Sequence, residues 1–141
     1  MKKKLILGTI LIIIIVLVYG YFNFYSKPIE GFEITVKNLT DRRIDGLFLT
    51  CAGIKKDIKV ETLKPDEKKV VLVQPKNYGE NSISLCYLDN DGKEKKHIVV
   101  GYFEESYGNG YAVVKIDNVL ENGILDISSK YKFSSILWSN R

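Results

Sequence analysis

Few residues of this 141-residue chain could carry out chemistry: it has a single histidine, His97, and two cysteines, Cys51 and Cys86. A zinc site or a catalytic base at His97 would need carboxylate or cysteine partners, and the sequence places none at ligand spacing. The cysteines lack the C-x-x-C spacing of a metal site. The sequence therefore predicts a structural His97 and neither a metal nor another cofactor.

The two cysteines leave a disulfide and two free thiols as alternatives. Closing a loop of roughly 35 residues would stabilise the fold by about 4 kcal/mol through chain entropy. Strand alternation puts Cys51 on the inward face of Leu49, whereas Cys86 shares the face of Ser84, opposite to Leu85. Sulfurs on opposite faces stay out of bonding range unless a bulge intervenes, so free thiols are favoured.

Carboxylates are grouped in two places, and neither forms a catalytic or calcium motif. Asp89–Gly92 resembles the first positions of a calcium-binding loop, but Lys93 and Glu94 then occupy positions that this loop reserves for a ligand and a glycine. A hairpin turn is the simpler interpretation. Glu104 and Glu105 are adjacent, which alone defines no acid–base pair. The chain is therefore predicted not to be an enzyme.

Two loops have the composition of binding loops. Residues 74–81 read QPKNYGEN and residues 104–111 read EESYGNGY, rich in the Tyr, Gly, Asn and Ser that paratopes use. Tyr78, Tyr107 and Tyr111 are the predicted protein-binding residues, since buried aromatic anchors dominate many interfaces. The alternative is that both loops are ordinary turns whose tyrosines pack on the rim of a sheet.

An uncharged apolar segment occupies residues 5–25, directly after Lys2, Lys3 and Lys4. As a helix it would span about 31 Å, the thickness of a bilayer's hydrocarbon core, which predicts an uncleaved transmembrane signal anchor. The preceding lysines favour a cytoplasmic N-terminus, residues 1–4, and a domain outside the membrane. A cleaved signal peptide is the alternative, but its apolar core would be shorter and would end at a small-residue site.

Charge argues against nucleic acid as a partner. All 17 acidic residues and 18 of the 21 basic ones lie beyond residue 25, so that part carries a net charge of +1 (18 minus 17). A nearly neutral domain has no electrostatic footprint for nucleic acid. Its length is that of one domain with its own core.

Alternation of apolar and polar residues dominates the chain after the linker 26–31. Phe32, Ile34 and Val36 alternate with polar residues, as in a half-buried strand, and the pattern recurs about every ten residues. Such spacing is typical of an all-β antiparallel sandwich, here with about eight strands over residues 32–128. The expected strands are 32–36, 47–51, 58–60, 70–73, 83–87, 96–103, 111–116 and 123–128, followed by an aromatic tail, 129–141.

One stretch also resembles a known type of module. It reads I34-x-V-x-N38, then L47, then I58-x-V60-x-x-L63-x-P65-x-E67-x-x-V70, and is similar to immunoglobulin-like modules of small membrane-anchored Gram-positive envelope proteins. In those modules a strand ends in Asn and an L-x-P-G-E turn joins two later strands; Asp66 stands in place of the glycine. The resemblance implies an immunoglobulin-like sandwich and names no ligand.

The direction of the strands determines at which end of the sandwich the two loops lie. If all strands alternate in direction and no pair is parallel, loops 74–81 and 104–111 and the tail lie at the membrane-facing end. The chain is then predicted to bind a protein partner near the outer membrane surface, as an immunity protein against a secreted toxin would. The alternative is a structural accessory subunit of a membrane or cell-envelope complex. Should the loops not bind, the expected surface is the outward sheet face around Thr35, Lys37 and Lys59.

Overall fold

The computed structural model describes residues 11–19, 30–104 and 109–134. Residues 11–19 form a helix whose side chains are all exposed. Within these ranges no helix combines the length and the apolar character needed to cross a bilayer. Most of the predicted anchor 5–25 and residues 26–29 of the linker lie outside the described residues.

The rest of the described chain is a β-sandwich, which confirms the all-β prediction. Two four-stranded sheets have the orders β4-β1-β7-β8, the first sheet, and β3-β2-β5-β6, the second sheet. A short 3-10 turn, Glu121–Gly123, separates the last two strands. The eight strands are β1 (Phe32–Asn38), β2 (Phe48–Thr50), β3 (Ile58–Lys59), β4 (Lys68–Val73), β5 (Glu80–Leu88), β6 (Glu94–Glu104), β7 (Gly110–Val119) and β8 (Leu125–Phe133).

The sequence predicts a fully antiparallel sandwich, but one pair of strands in the structure is parallel. β1 lies between β4, its antiparallel neighbour, and β7, with which it pairs in parallel. Alternation of direction still holds, because β1 and β7 both run away from the same end. Phe32 lies opposite both Val73 and Gly110, and Gly110 lies opposite Phe133. We call this the near end of the sandwich and the opposite one, where β1 finishes at Asn38, the far end.

The core fills the space between the sheets and follows the alternation seen in the sequence. In β1 every second residue is buried, and Phe32, Ile34 and Val36 are each 0% exposed. Full burial of such a side chain stabilises the fold by roughly 1.5–3 kcal/mol. Phe32 packs against Phe103 of the second sheet at 4.7 Å between ring centroids, so the two sheets are in direct contact at the near end.

Strand β6 departs from simple alternation. Its register against β5 shifts twice, between Asn81 and Ile83 and between Ile83 and Ser84. Each shift adds a residue to β6, so that Val99 and Val100 are both fully buried although they are neighbours.

Strand β8 is longer than predicted and continues to Phe133, which takes in residues that we had assigned to the tail. Its side chains alternate as far as Lys130, Tyr131 is 46% exposed, and Phe133 is half-buried against Phe32 at 6.0 Å between ring centroids. The first five residues of the predicted tail, 129–133, therefore belong to the sandwich.

The far end is organised by Asn38, whose side chain is completely buried. Its amide Nδ2 donates to the carbonyl oxygens of Arg42 at 2.6 Å, Leu63 at 3.2 Å and Lys64 at 3.1 Å. Its Oδ1 accepts bonds from the N–H and the hydroxyl of Thr40. Asn38 and the turn at residues 63–67, two parts of the stretch that carries the resemblance, are thus bonded to each other.

Candidate protein-binding surface

Hydrogen bonds around Asn109 tie the near end together. The side-chain Oδ1 of Asn109 accepts a bond from the N–H of Gly31 at 2.8 Å. The N–H of Gly110 donates to the carbonyl of Gly31 at 3.0 Å, and that of Ser134 donates to the carbonyl of Asn109 at 2.9 Å. The starts of β1 and β7 and the end of β8 are therefore fixed to one another.

A segment that the sequence did not single out, residues 51–57, also lies at the near end. Asn81 holds it there: its Oδ1 accepts from the N–H of Ala52 at 3.0 Å, and its Nδ2 donates to the carbonyl of Ala52 at 2.8 Å. The N–H of Lys76 donates to the carbonyl of Gly53 at 3.0 Å. Loop 74–79 and segment 51–57 consequently form one continuous surface.

Tyr78 packs on the rim of the sandwich. Its ring is half-buried and meets Phe103 edge-on, at 5.5 Å between ring centroids. Phe103 is itself a core residue, 0% exposed. This placement fits the alternative in which the tyrosine stabilises the sheet rim, and a role in binding stays a prediction.

Of the other two predicted anchors, only Tyr111 belongs to the described residues. Tyr111, in β7, is 47% exposed and lies level with Glu33 and Lys132 in the strand register. Tyr107 lies outside the described residues. A cluster of the three tyrosines therefore stays a prediction.

The sheet face proposed as a fallback is also not a single surface. Thr35 and Lys37 belong to β1 in the first sheet, whereas Lys59 belongs to β3 in the second. Local alternation predicts which side of a strand a residue takes, but it does not say to which sheet the strand belongs.

The two cysteines are free thiols, which confirms the favoured alternative. Cys51 packs against the core, while Cys86 pairs across the strands with Phe48 and lies outside the core cluster. Burial raises the pKa of the Cys51 thiol to about 11 and also raises the pKa of Cys86. Both thiols are therefore protonated at neutral pH and are poor nucleophiles.

His97 joins the edges of the two sheets. Its Nε2 lies 3.1 Å from the hydroxyl of Ser129 in β8, and that hydroxyl donates to the carbonyl of Ile98 at 3.2 Å. Burial lowers the pKa of His97. The histidine thus bridges β6 and β8, as expected of a structural residue.

The carboxylate of Asp89 caps a hairpin turn, as predicted for residues 89–92. Its Oδ1 accepts bonds from the N–H groups of Asp91 at 3.0 Å and Lys93 at 2.8 Å. The bond from the Lys93 backbone is the main cause of the lowered pKa of Asp89, and the ammonium of Lys95, at 3.2 Å, adds to it. Within residues 11–19, 30–104 and 109–134, no group of three or more His, Cys, Asp or Glu side chains could hold a metal ion.

A groove opens at the near end between β3 and β4, the edge strands of the two sheets. Its volume is about 730 Å³, and Gly53, Gln74 and Asn77 belong to its lining. Apolar side chains of Ile54, Ile58 and Leu72 line it together with the side chains of Lys55, Lys56 and Lys76. An apolar groove with a cationic rim can bind a ligand that is itself apolar and acidic.

No protein-family model, curated protein or solved structure matches this chain. The resemblance to immunoglobulin-like modules of membrane-anchored envelope proteins therefore stays a prediction. The function has to be inferred from the geometry of the near end.

Proposed function

We propose that this chain is a protein-binding β-sandwich held at the outer surface of a membrane by its apolar segment 5–25. The strand register supports this: Phe32 lies opposite both Val73 and Gly110, so the chain enters the sandwich at the end that carries both Tyr/Gly loops. A linker of six residues, 26–31, reaches about 20 Å when fully extended. The near end is then the part of the domain closest to the membrane.

The proposal includes an immunoglobulin-like topology. In such sandwiches strands B and E share one sheet, and strands C, F and G share the other. The strands here are distributed between the two sheets in the same way if β1 and β4 correspond to B and E, and β2, β5 and β6 correspond to C, F and G. β7 then lies next to B, with β8 beyond it, which supports a variant of the fold rather than a standard member.

The type of partner follows from the near end. Its surface combines an open groove with apolar lining, exposed lysines and loops rich in asparagine and glycine. Such a mixture of apolar area and adaptable polar groups is typical of protein interfaces. A partner protein at the outer membrane surface is therefore the ligand that we propose.

Site-specific photo-crosslinking in intact cells tests the proposal. A photo-reactive residue at Gly79 lies at the near end, where a side chain meets nothing within 4 Å. The control position is Asp91, exposed in the hairpin at the far end. We expect a crosslinked protein at Gly79 and none at Asp91. Equal products at both positions, or a product at Asp91 alone, would contradict the proposal.

The same experiment separates the two biological roles. Shuffling the apolar residues of 5–22 keeps the hydrophobicity but changes the helix surface that a neighbouring helix would recognise. A crosslink at Gly79 that survives shuffling supports a domain that acts by itself, as an immunity protein does. A crosslink that is lost while the protein stays in the membrane supports the accessory-subunit role.

A further inference from the structure

Strand β4 is an edge strand, and half of its outer side is open. The N–H of Asn38 donates to the carbonyl of Glu67, which fixes the bonding pattern of the β1–β4 ladder. Alternation in an antiparallel ladder then turns the backbone groups of Val70 and Leu72 away from β1. Since β4 pairs only with β1, these N–H and C=O groups have no strand partner. An edge of this kind is a template for an added strand.

The other half of the edge is protected by charge. The ammonium of Lys69 lies 3.1 Å from the carboxylate of Glu61 and 3.2 Å from that of Glu67. Charged side chains along an edge are a common defence against unwanted pairing. The half of β4 nearest the groove has no such group, and Val70 and Leu72 are 57% and 47% exposed.

The charged side chains that line the groove beside this open half are all lysines. Lys55, Lys56 and Lys76 are exposed, and no acidic side chain is among the residues that line the groove. Within the part of the chain that the structure describes, none of the three lysines forms an ion pair. Their charge is therefore available to a ligand that brings carboxylates.

We propose that the open half of β4 and the groove take up an extended acidic segment of the partner protein, which adds to the first sheet as a fifth strand. In strand addition the main chain supplies hydrogen bonds and alternate side chains supply specificity. Apolar side chains of the segment contact Ile54, Ile58 and Leu72, and its carboxylates meet the lysines. A phospholipid headgroup would neutralise the lysines but leave the backbone of Val70 and Leu72 unpaired. This inference rests on the proposed function and names its partner's contact segment.

Crosslinking from the groove in the full-length membrane protein tests this inference. A photo-reactive residue replaces Leu72, and the control replaces Ile98, an aliphatic residue 59% exposed on the edge strand β6. We expect a product from Leu72 alone, and mass spectrometry should map it to an acidic segment of the partner. Replacing Lys55, Lys56 and Lys76 with glutamate should lower the yield at least tenfold. Equal replacement of the exposed Lys93, Lys115 and Lys130 should leave it unchanged.

A second variant addresses the backbone. Val70→Pro removes an N–H that points away from β1, so it costs the sheet no hydrogen bond. We expect it to reduce the Leu72 product to background without changing the melting temperature by more than a few degrees, while Val70→Thr keeps the product. If Val70→Pro unfolds the domain, the lysine variants still decide the question.

The outcomes distinguish this inference from the proposed function. A phospholipid product at Leu72, a neutral or basic segment, or a product that survives charge reversal would overturn strand addition. No product at Leu72 together with a protein captured at Gly79 would overturn it as well, and would leave the proposed function intact. No protein captured at either position would overturn both.

Discussion

At the scale of single residues, Asp66 has a conformation that favours glycine. Its φ is 59°, and the resembling modules place glycine at this point of the turn. Asp66→Gly should stabilise the domain by about 0.5 kcal/mol, because glycine adopts this backbone without steric cost. The midpoint of chemical unfolding measures the effect. Lys64→Gly, at a position without positive φ, is the control and should destabilise. A less stable Asp66→Gly would show that the carboxylate itself supports the turn.

Tyr78 and Tyr111 should behave differently when truncated. Tyr78→Ala removes an edge-on contact with the buried Phe103, so we expect a loss of about 2 kcal/mol. Tyr111→Ala removes a half-exposed side chain and should change stability by about 0.5 kcal/mol or less. Thermal unfolding of the two variants checks this difference. Similar melting temperatures would mean that the Tyr78 ring contributes nothing to the core.

At the scale of elements, the strands were largely predictable because each is half-buried and alternates. The alternation of Phe32, Ile34 and Val36 identified β1 directly. The bulges of β6 were not predictable, since Val99 and Val100 are both buried only through their register with β5. The parallel pairing of β1 with β7 was missed for a similar reason: local patterns indicate strands but not their neighbours.

The contact between segment 51–57 and loop 74–79 depends on Gly53. Its φ is +77°, and a Cβ there would lie 2.5 Å from the carbonyl oxygen of Lys76. Gly53→Ala should therefore destabilise the domain and speed hydrogen exchange at the Lys76 N–H. Gly46→Ala is a matched control, because its φ is +72° but a Cβ meets nothing within 4 Å. If both variants lose the same stability, backbone strain alone explains the effect and the contact is not tight.

At the scale of the whole molecule, the near end was predictable and the groove was not. Alternating strand direction was enough to place loops 74–81 and 104–111 beside the start of β1. The groove needs segment 51–57 to approach β4, and that approach is made by Asn81 and Gly53, which no local pattern marks. Tyr78 was assigned to binding by composition, while its packing on Phe103 is a long-range contact.

Membrane topology is the prediction that belongs to the whole chain. Protease added to intact protoplasts should digest the domain beyond about residue 30 and spare residues 1–4, since the lysines at 2–4 favour a cytoplasmic N-terminus. Immunoblotting with tags at both termini measures this. A soluble mature protein in the medium would show that the apolar segment is cleaved, and loss of the N-terminal tag with a protected C-terminal tag would show the opposite orientation.

The position of β1 has a mechanical consequence. A domain tethered at Gly31 receives any pulling force through β1, which is paired at six positions with β4 and at seven with β7. Hydrogen bonds between strands lie across the strand axis, so traction along β1 shears both ladders together instead of unzipping them one bond at a time. In the proposed arrangement, a partner drawn away from the membrane therefore pulls against a strand that is paired along both sides, and the tether can bear load.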